Sequence, residues 1–347
     1  MKSKNSRNLG TSLILFGALA LASFSAGAGP LSFSDIYVFG DSLSDTGNTR
    51  SQVPGGNIPF VATLGGYGPN GRFSNGDVWH EYLARALFKS PATRSTGGGN
   101  NFAYGGARVD NAVGVSAGLL TQNAQYFTRQ NGVVSDSGAL FIAWAGGNDM
   151  RDLVGNADPL AAINTQLDSW LGMLGGLLTS GVKTLLVPNL PDLGRIPEFR
   201  TGSDSSSGTA VSTAWNEGLK QGLDELNKTT DADIFYFDVF GLFNNLLTGP
   251  ADFGFANTTS QCRSVGRSFF GIPFEQSCSN PAGFVFWDEI HPTTAAHSYL
   301  GNQAFRLLES GSSIAKVSEP MTASLLLLAL VSLLGRRFLI KSRSSGF

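Results

Sequence analysis

From Ile36 to Leu308 short apolar runs alternate with longer stretches in which apolar residues recur at helical spacing. The short runs are Ile36–Phe39, a weaker one around Asn101–Ala103, Leu140–Trp144, Thr184–Val187 and Ile234–Phe237. Runs of this length, rich in β-branched and aromatic residues and bounded by turn residues, fit strands buried on both faces. The helical spacing covers Val78–Phe88, Leu119–Gln130, Leu160–Thr179, Ala210–Asn227 and Thr294–Leu308. Strands alternating with helices predict an α/β fold around a parallel sheet. Nearly every predicted strand runs into Gly, Asp or Asn, and in open α/β sheets the ligand site lies beyond the carboxyl ends of the strands. Two long segments, Thr46–Asn75 and Thr248–Asn280, carry neither pattern. Irregular segments of that length are usually functional, and these are expected to wall a cleft. The polar run Ser203–Gly208 reads as a flexible turn.

Composition supports an ordered, loop-rich chain. Glycine supplies 44 of 347 residues, nearly twice its usual share of about 7%. Many stand in pairs, at Gly55-Gly56, Gly65-Gly66, Gly105-Gly106 and Gly146-Gly147, and 25 phenylalanines argue against disorder. Charge is unevenly spread. Residues 1–28 hold three basic residues and residues 320–347 four, with no acid in either segment. Residues 29–319 hold 17 basic against 26 acidic residues, a net charge of −9. An acidic body argues against nucleic acid as a partner.

Both ends read as addresses. A basic start, an apolar run from Leu9 to about Phe24 and Ala26-Gly27-Ala28 have the design of a cleavable secretory signal over residues 1–28. At the other end, Ser318-Glu319-Pro320 leads into the apolar stretch Met321–Gly335 and then Arg336-Arg337. Fifteen helical residues span about 22 Å, short of a hydrocarbon core of about 30 Å. The arrangement resembles a PEP-CTERM sorting tail over 313–347, with Ser318 standing where that motif has its first Pro. The resemblance implies export machinery and a C-terminal sorting protease as partners, with the tail touching the membrane before processing. The alternative is an ordinary tail anchor. The body is then one domain, 29–312, secreted or attached to the cell envelope. In an exported chain the only two cysteines, Cys262 and Cys278, are expected to pair. Such a bond closes a loop of about 15 residues and contributes about 3 kcal/mol in the chain-entropy model.

Four segments could carry chemistry. Gly40-Asp41-Ser42-Leu43 follows the first strand, where a serine can expose its Oγ and aim its own N–H at an oxyanion, although a serine there is equally a helix N-cap. Trp287-Asp288-Glu289-Ile290-His291-Pro292 offers a base and a carboxylate three residues apart. His291 can accept a serine proton and Asp288 can hold its tautomer, whereas an offset of two points Glu289 away. Of the other histidines, His80 and His297 fall in predicted helices and are expected to pack at helix surfaces. Gly146-Gly147-Asn148-Asp149 places an amide at a strand end, as an oxyanion donor or as a plain Asn-Asp turn. Asn101-Phe102-Ala103-Tyr104-Gly105-Gly106-Ala107 runs into glycines that would let a backbone N–H approach a substrate. Metal binding is not suggested, since the cysteines lack C-x-x-C spacing and no His lies between them.

In chain order the four segments resemble the blocks of the GDSL, or SGNH, esterases and lipases. The likeness spans about Asp35 to Leu308 and includes Ser44–Asn48, Gly71–Gly76, Val187–Asp192 and Phe286–Asp288. It implies a three-layer α/β/α sandwich with about five parallel strands and no cofactor. It also implies a Ser42–His291–Asp288 triad and an oxyanion hole of the Ser42 N–H, the Gly106 N–H and the Asn148 side chain. The family's glycine could equally fall on Gly105. The reaction implied is hydrolysis of a small-molecule or lipid carboxylic ester through an acyl-enzyme. Deacetylation of an extracellular polysaccharide and acyl transfer would use the same residues. A non-catalytic surface binding module is the contrasting class, and loss of Ser42, His291 or Asn148 would have favoured it.

Overall fold

The computed structural model describes residues 32–68, 70–110 and 116–316. The segment read as a secretory signal and the apolar tail lie outside the described residues. Strand β1 (Ile36–Phe39) is buried at every position because its side chains alternate between two cores. Tyr37 and Phe39 join one hydrophobic cluster, Ile36 and Val38 the other. Strands β2 (Leu140–Ala143), β3 (Thr184–Pro188) and β4 (Asp233–Phe237) repeat this alternation and pair in parallel in the order β1-β2-β3-β4. One face is covered by α4 (Leu119–Arg129), α6 (Leu160–Thr179) and α7 (Ser203–Asn227), through Tyr126, Trp170 and Trp215. The other is covered by α3 (Trp79–Ala86) and α9 (Thr294–Glu309), through Trp79, Leu83 and Leu300. Helices on both faces of a parallel sheet make the three-layer α/β architecture expected from the alternating pattern.

The sheet has four strands rather than about five. Asn101 makes only isolated parallel bridges, one to Val38 and one to Arg94. The ladder stops there because the Gly40 N–H, next in line to pair with this segment, is taken by Gln122 Oε1, while on the segment's other edge Asn48 Nδ2 donates to the carbonyls of Asn101 and Ala103. The bridge to Val38 still places the Asn101 segment on the far side of β1 from β2. The chain therefore leaves β1 in one direction and later returns on the other side. Such a reversal opens a crevice above the end of the strand.

Three further expectations need correction. Ser203–Gly208 is the first part of α7, not a turn. Its polar sequence hides a tertiary contact: Ser205 Oγ donates to the Gly194 carbonyl, and a Cβ on Gly208 would come within 2.9 Å of the Gly194 Cα. His80 and His297 are fully buried between α3 and α9 rather than lying at helix surfaces. The long segments also contain structure. Thr46–Asn75 includes α1 (Asn48–Gln52) and α2 (Pro59–Gly65). Thr248–Asn280 includes β5 (Asn257–Gln261) and the antiparallel hairpin of β6 (Arg263–Arg267) and β7 (Pro273–Ser277). Cys262 and Cys278 form a disulfide at the base of that hairpin. Among the described residues no helix is long and apolar enough to cross a membrane.

Candidate active site

Where β1 ends, Gln122 clamps the backbone of Gly40, accepting its N–H and donating to its carbonyl. The chain then turns sharply, with the Ser44 N–H on the Asp41 carbonyl, and Ser42 stands at the apex. Just beyond, buried Asp45 gathers the N–H groups of Gly47, Asn48, Thr49 and Gly105. Buried carboxylates are tolerable when so bonded. Burial pushes this carboxyl up, and those hydrogen bonds oppose the rise. The hub fixes the Gly105-Gly106 segment beside Ser42. Because the Gly105 N–H is already spent on Asp45 and Thr49, it is not free for a ligand. The Gly106 N–H has no partner among the described residues, and Gly106 lines the cleft.

His291 arrives on the loop between β8 (Phe284–Phe286) and α9. Asp288 shapes that loop by accepting the N–H groups of Ile290 and His291 at 3.0 and 2.8 Å. Its carboxylate also faces His291 Nδ1, at 2.8 and 2.9 Å. An acceptor there keeps the ring proton on Nδ1, which leaves Nε2 as an acceptor. That nitrogen lies 2.8 Å from Ser42 Oγ. Burial alone would raise the Asp288 carboxyl. The facing imidazole and the hydrogen bonds from it and from the two N–H groups outweigh this and hold the carboxyl below its ordinary value. Glu289 is exposed and makes no contact with the ring.

The segment Gly71–Gly76 buttresses His291 from the other side. Ser74 Oγ donates to the Pro292 carbonyl, Asn75 Oδ1 accepts the Thr294 N–H, and the Phe73 ring lies against the imidazole. Arg72 is itself held by a two-pronged ion pair with Glu81 of α3.

Asn148 sits in the first turn of α5 (Gly147–Leu153), directly after β2. One amide N–H donates to the Ala107 carbonyl at 2.9 Å, which fixes the side chain and leaves the second N–H over the cleft. Gly146 has φ 99°, and a Cβ there would meet the Trp215 ring at 2.4 Å, so only glycine fits this turn. The neighbouring Asp149 and Asp41 are both buried, which pushes each carboxyl up to about 6.

Ser42, Gly106, Asn148, Asp288 and His291 thus line one cleft of about 760 Å³. A serine hydroxyl within reach of an imidazole nitrogen, with a carboxylate on the far nitrogen, can pass its proton to the ring as the oxygen attacks. Unpartnered N–H groups beside it can hold the negative charge that results. The GDSL-like lipase/acylhydrolase profile matches residues 36–304.

The chain belongs to the GDSL-like lipase/acylhydrolase family.

As a GDSL hydrolase of carboxylic esters it has many relatives. It is 29% identical to a GDSL esterase/lipase of Arabidopsis thaliana over 337 residues, covering 83% of this chain and 94% of the relative. It is 28% identical to the phosphatidylcholine-sterol acyltransferase of Aeromonas hydrophila over 336 residues, covering 85% and 96%. The aryl esterase of M. smegmatis aligns with a TM-score of 0.43 and 15% identity, over 80% of this chain and 98% of that one.

The walls of the GDSL cleft come from the two long segments. Leu64, Gly65 and Gly66 stand on one side, Gln261 and Arg263–Val265 on the other. Arg263 joins them, donating to Glu275 Oε2 and to the Thr63 carbonyl of α2. Arg151, paired with Glu198, completes the rim. Sequence reasoning missed Arg263 and Arg151, because an arginine in a polar stretch gives no sign that it faces a cleft. It also missed the supporting role of His80, whose Nε2 donates to the Ser44 carbonyl at 2.9 Å beneath the Ser42 turn. Burial pushes His80 down, and His297 down to about 3, so both rings are neutral supports. Among the described residues no group of three or more His, Cys, Asp or Glu side chains could hold a metal ion.

Proposed function

We propose that the chain hydrolyses carboxylic esters through an acyl-enzyme on Ser42. His291 acts as base and then as acid, and Asp288 holds the His291 tautomer. The Ser42 N–H, the Gly106 N–H and the Asn148 amide receive the oxyanion. The single observation that carries this reading is the unbroken relay Asp288–His291–Ser42, with both ring contacts at 2.8 Å. Attack by Ser42 Oγ transfers its proton to His291 Nε2, which returns it to the departing alcohol. Water then repeats the sequence and releases the acid. The apolar walls Leu64, Ile290 and Val265 favour a hydrophobic acyl or alcohol group over a free sugar.

Export belongs to the same proposal. A disulfide persists where the compartment is oxidising, which supports the reading of residues 1–28 as a secretory leader. Acyl transfer is the second reading, favoured by the similarity to an acyltransferase along 96% of that relative's length. The deciding measurement is p-nitrophenyl ester turnover, acetate through palmitate, by the wild type and by Ser42→Ala, with and without an added alcohol. Equal inertness of both proteins would sink the reading, and an ester product in the presence of alcohol would select transfer. Mass spectrometry of the mature N-terminus tests export.

A further inference from the structure

The β6–β7 hairpin carries its apolar residues on the outside. Phe269 is 98% exposed and Phe270 84%, and their rings stand edge to face at the tip with centroids 5.5 Å apart. Ile272 is exposed on the same turn, and α2, which packs against β7, exposes Phe60 and Leu64. Single exposed apolar residues need no explanation, but a contiguous group of this size marks an interaction surface.

Resting on the ester-hydrolase reading, we propose that this hairpin tip and α2 dock the enzyme on a lipid surface, from which substrate passes directly to Ser42. Three observations select that occupant. The patch is continuous with the active-site cleft, because Leu64 and Val265, 61% and 45% exposed, both line the cleft and border the patch. Its charge is that of a surface meant to leave water. Residues 55–66 hold no charged side chain and residues 264–274 only Arg267, in a body of net charge −9. An arginine can lay its aliphatic stem along apolar surface and keep its head among phosphates. Finally, the tip projects two adjacent aromatics on a narrow turn. Acyl chains close around such a projection whatever its outline, whereas a folded partner needs a matching hollow. The base of the hairpin is pinned by Cys262–Cys278 and by Arg263, so the tip keeps a fixed relation to the cleft.

The test uses a local probe, because the apolar stretches near residues 9–24 and 321–335 could bind vesicles by themselves. All five native tryptophans are buried, none more than 5% exposed. The emission of a full-length Phe270→Trp variant minus that of the wild type therefore reports on the hairpin. Phosphatidylcholine vesicles should shift that emission to the blue, and the same lipid brominated along its acyl chains should quench it. A second full-length variant, Phe269→Ser with Phe270→Ser, should turn over a soluble monomeric ester within about twofold of wild type. On emulsified tributyrin at limiting surface it should lose at least about tenfold. No quenching, or equal loss on both substrates, overturns the proposal. A dimer in sedimentation velocity that the double variant abolishes would also overturn it, by assigning the patch to a second copy. Inertness of the wild type toward every ester would count against the catalytic reading alone, and the quenching would still decide docking.

Discussion

Phe73 covers one face of His291, with ring centroids 5.3 Å apart, and Gly105 leaves the space that Phe73 occupies. A Cβ on Gly105 would come within 2.2 Å of the Phe73 ring. The glycine pair thus divides its labour: Gly105 seats the ring that positions the imidazole, and Gly106 offers its N–H to the cleft. Gly105→Ala is expected to cost about 1–3 kcal/mol by overpacking and to lower turnover. Adding Phe73→Leu should recover most of the thermal stability. A Gly105→Ala protein with unchanged Tm and kcat would show that the ring is free to move.

Ser42→Ala should abolish ester turnover, by at least about 10⁴-fold, with the fold intact by circular dichroism. Asp288→Asn should keep the loop, since an amide oxygen still accepts the Ile290 and His291 N–H groups. It should nevertheless lower kcat by about 10³–10⁴-fold through the wrong tautomer. Residual activity in Ser42→Ala above one hundredth of wild type would point to another nucleophile.

Asn148→Ala removes the donor proposed to act once charge develops on the substrate oxygen. Expected is a loss of about 10²–10³-fold in kcat with KM little changed. A rise in KM at constant kcat would instead assign Asn148 to ground-state binding.

Asp149 makes a prediction about stability. Burial raises its carboxyl from an ordinary 3.8 to about 6. Between those values the folded chain holds more protons than the unfolded one, so this group's contribution falls as pH rises through the window. Above pH 6 the buried charge costs on the order of 2–3 kcal/mol. Asp149→Asn should therefore gain in Tm over wild type as pH goes from 4 to 7 and then level off. Asp41, shifted the same way, and Asp288, shifted the opposite way, are present in both proteins and cancel. A Tm difference that stays flat from pH 4 to 8 would contradict the assignment.

Opening the disulfide should act on binding more than on chemistry, because the hairpin it pins supplies Arg263–Val265 to the cleft wall. Cys262→Ser with Cys278→Ser is expected to raise KM for long-chain esters while kcat for the acetate stays near wild type. A parallel fall of kcat on all esters would mean that the hairpin supports the His291 loop.

The four sheet strands and five of the longer helices were legible because residues buried on both faces, or on one stripe, write a period into the sequence, whereas the helix Val239–Thr248 was not read. The Asn101 segment misled, since Gln122 takes the Gly40 N–H that would extend its pairing with β1, and only isolated bridges remain of an expected strand. Ser203–Gly208 misled for the converse reason, Ser205 and Gly208 being packed against Gly194. The hairpin left no period at all. Arg-Ser-Val-Gly-Arg pairs through register and a cross-link rather than through a buried face. At the site, the residues proposed for the chemistry could be named because they fall at strand ends that the fold brings together. Their supports, Asp45 and His80, are buried polar groups whose burial no local pattern announces.

Arg263 has a consequence for how such a cleft can change. One buried guanidinium serves two segments 200 residues apart in sequence, bonding to Thr63 in one and to the more exposed Glu275 in the other. Leaving a buried donor without its partner typically costs about 1–3 kcal/mol. Neither segment can then be shortened, lengthened or exchanged alone without leaving a cation stranded between them. The width of the cleft is inherited as a matched pair of loops, and a lineage that alters its substrate must revise both together or lose the arginine first.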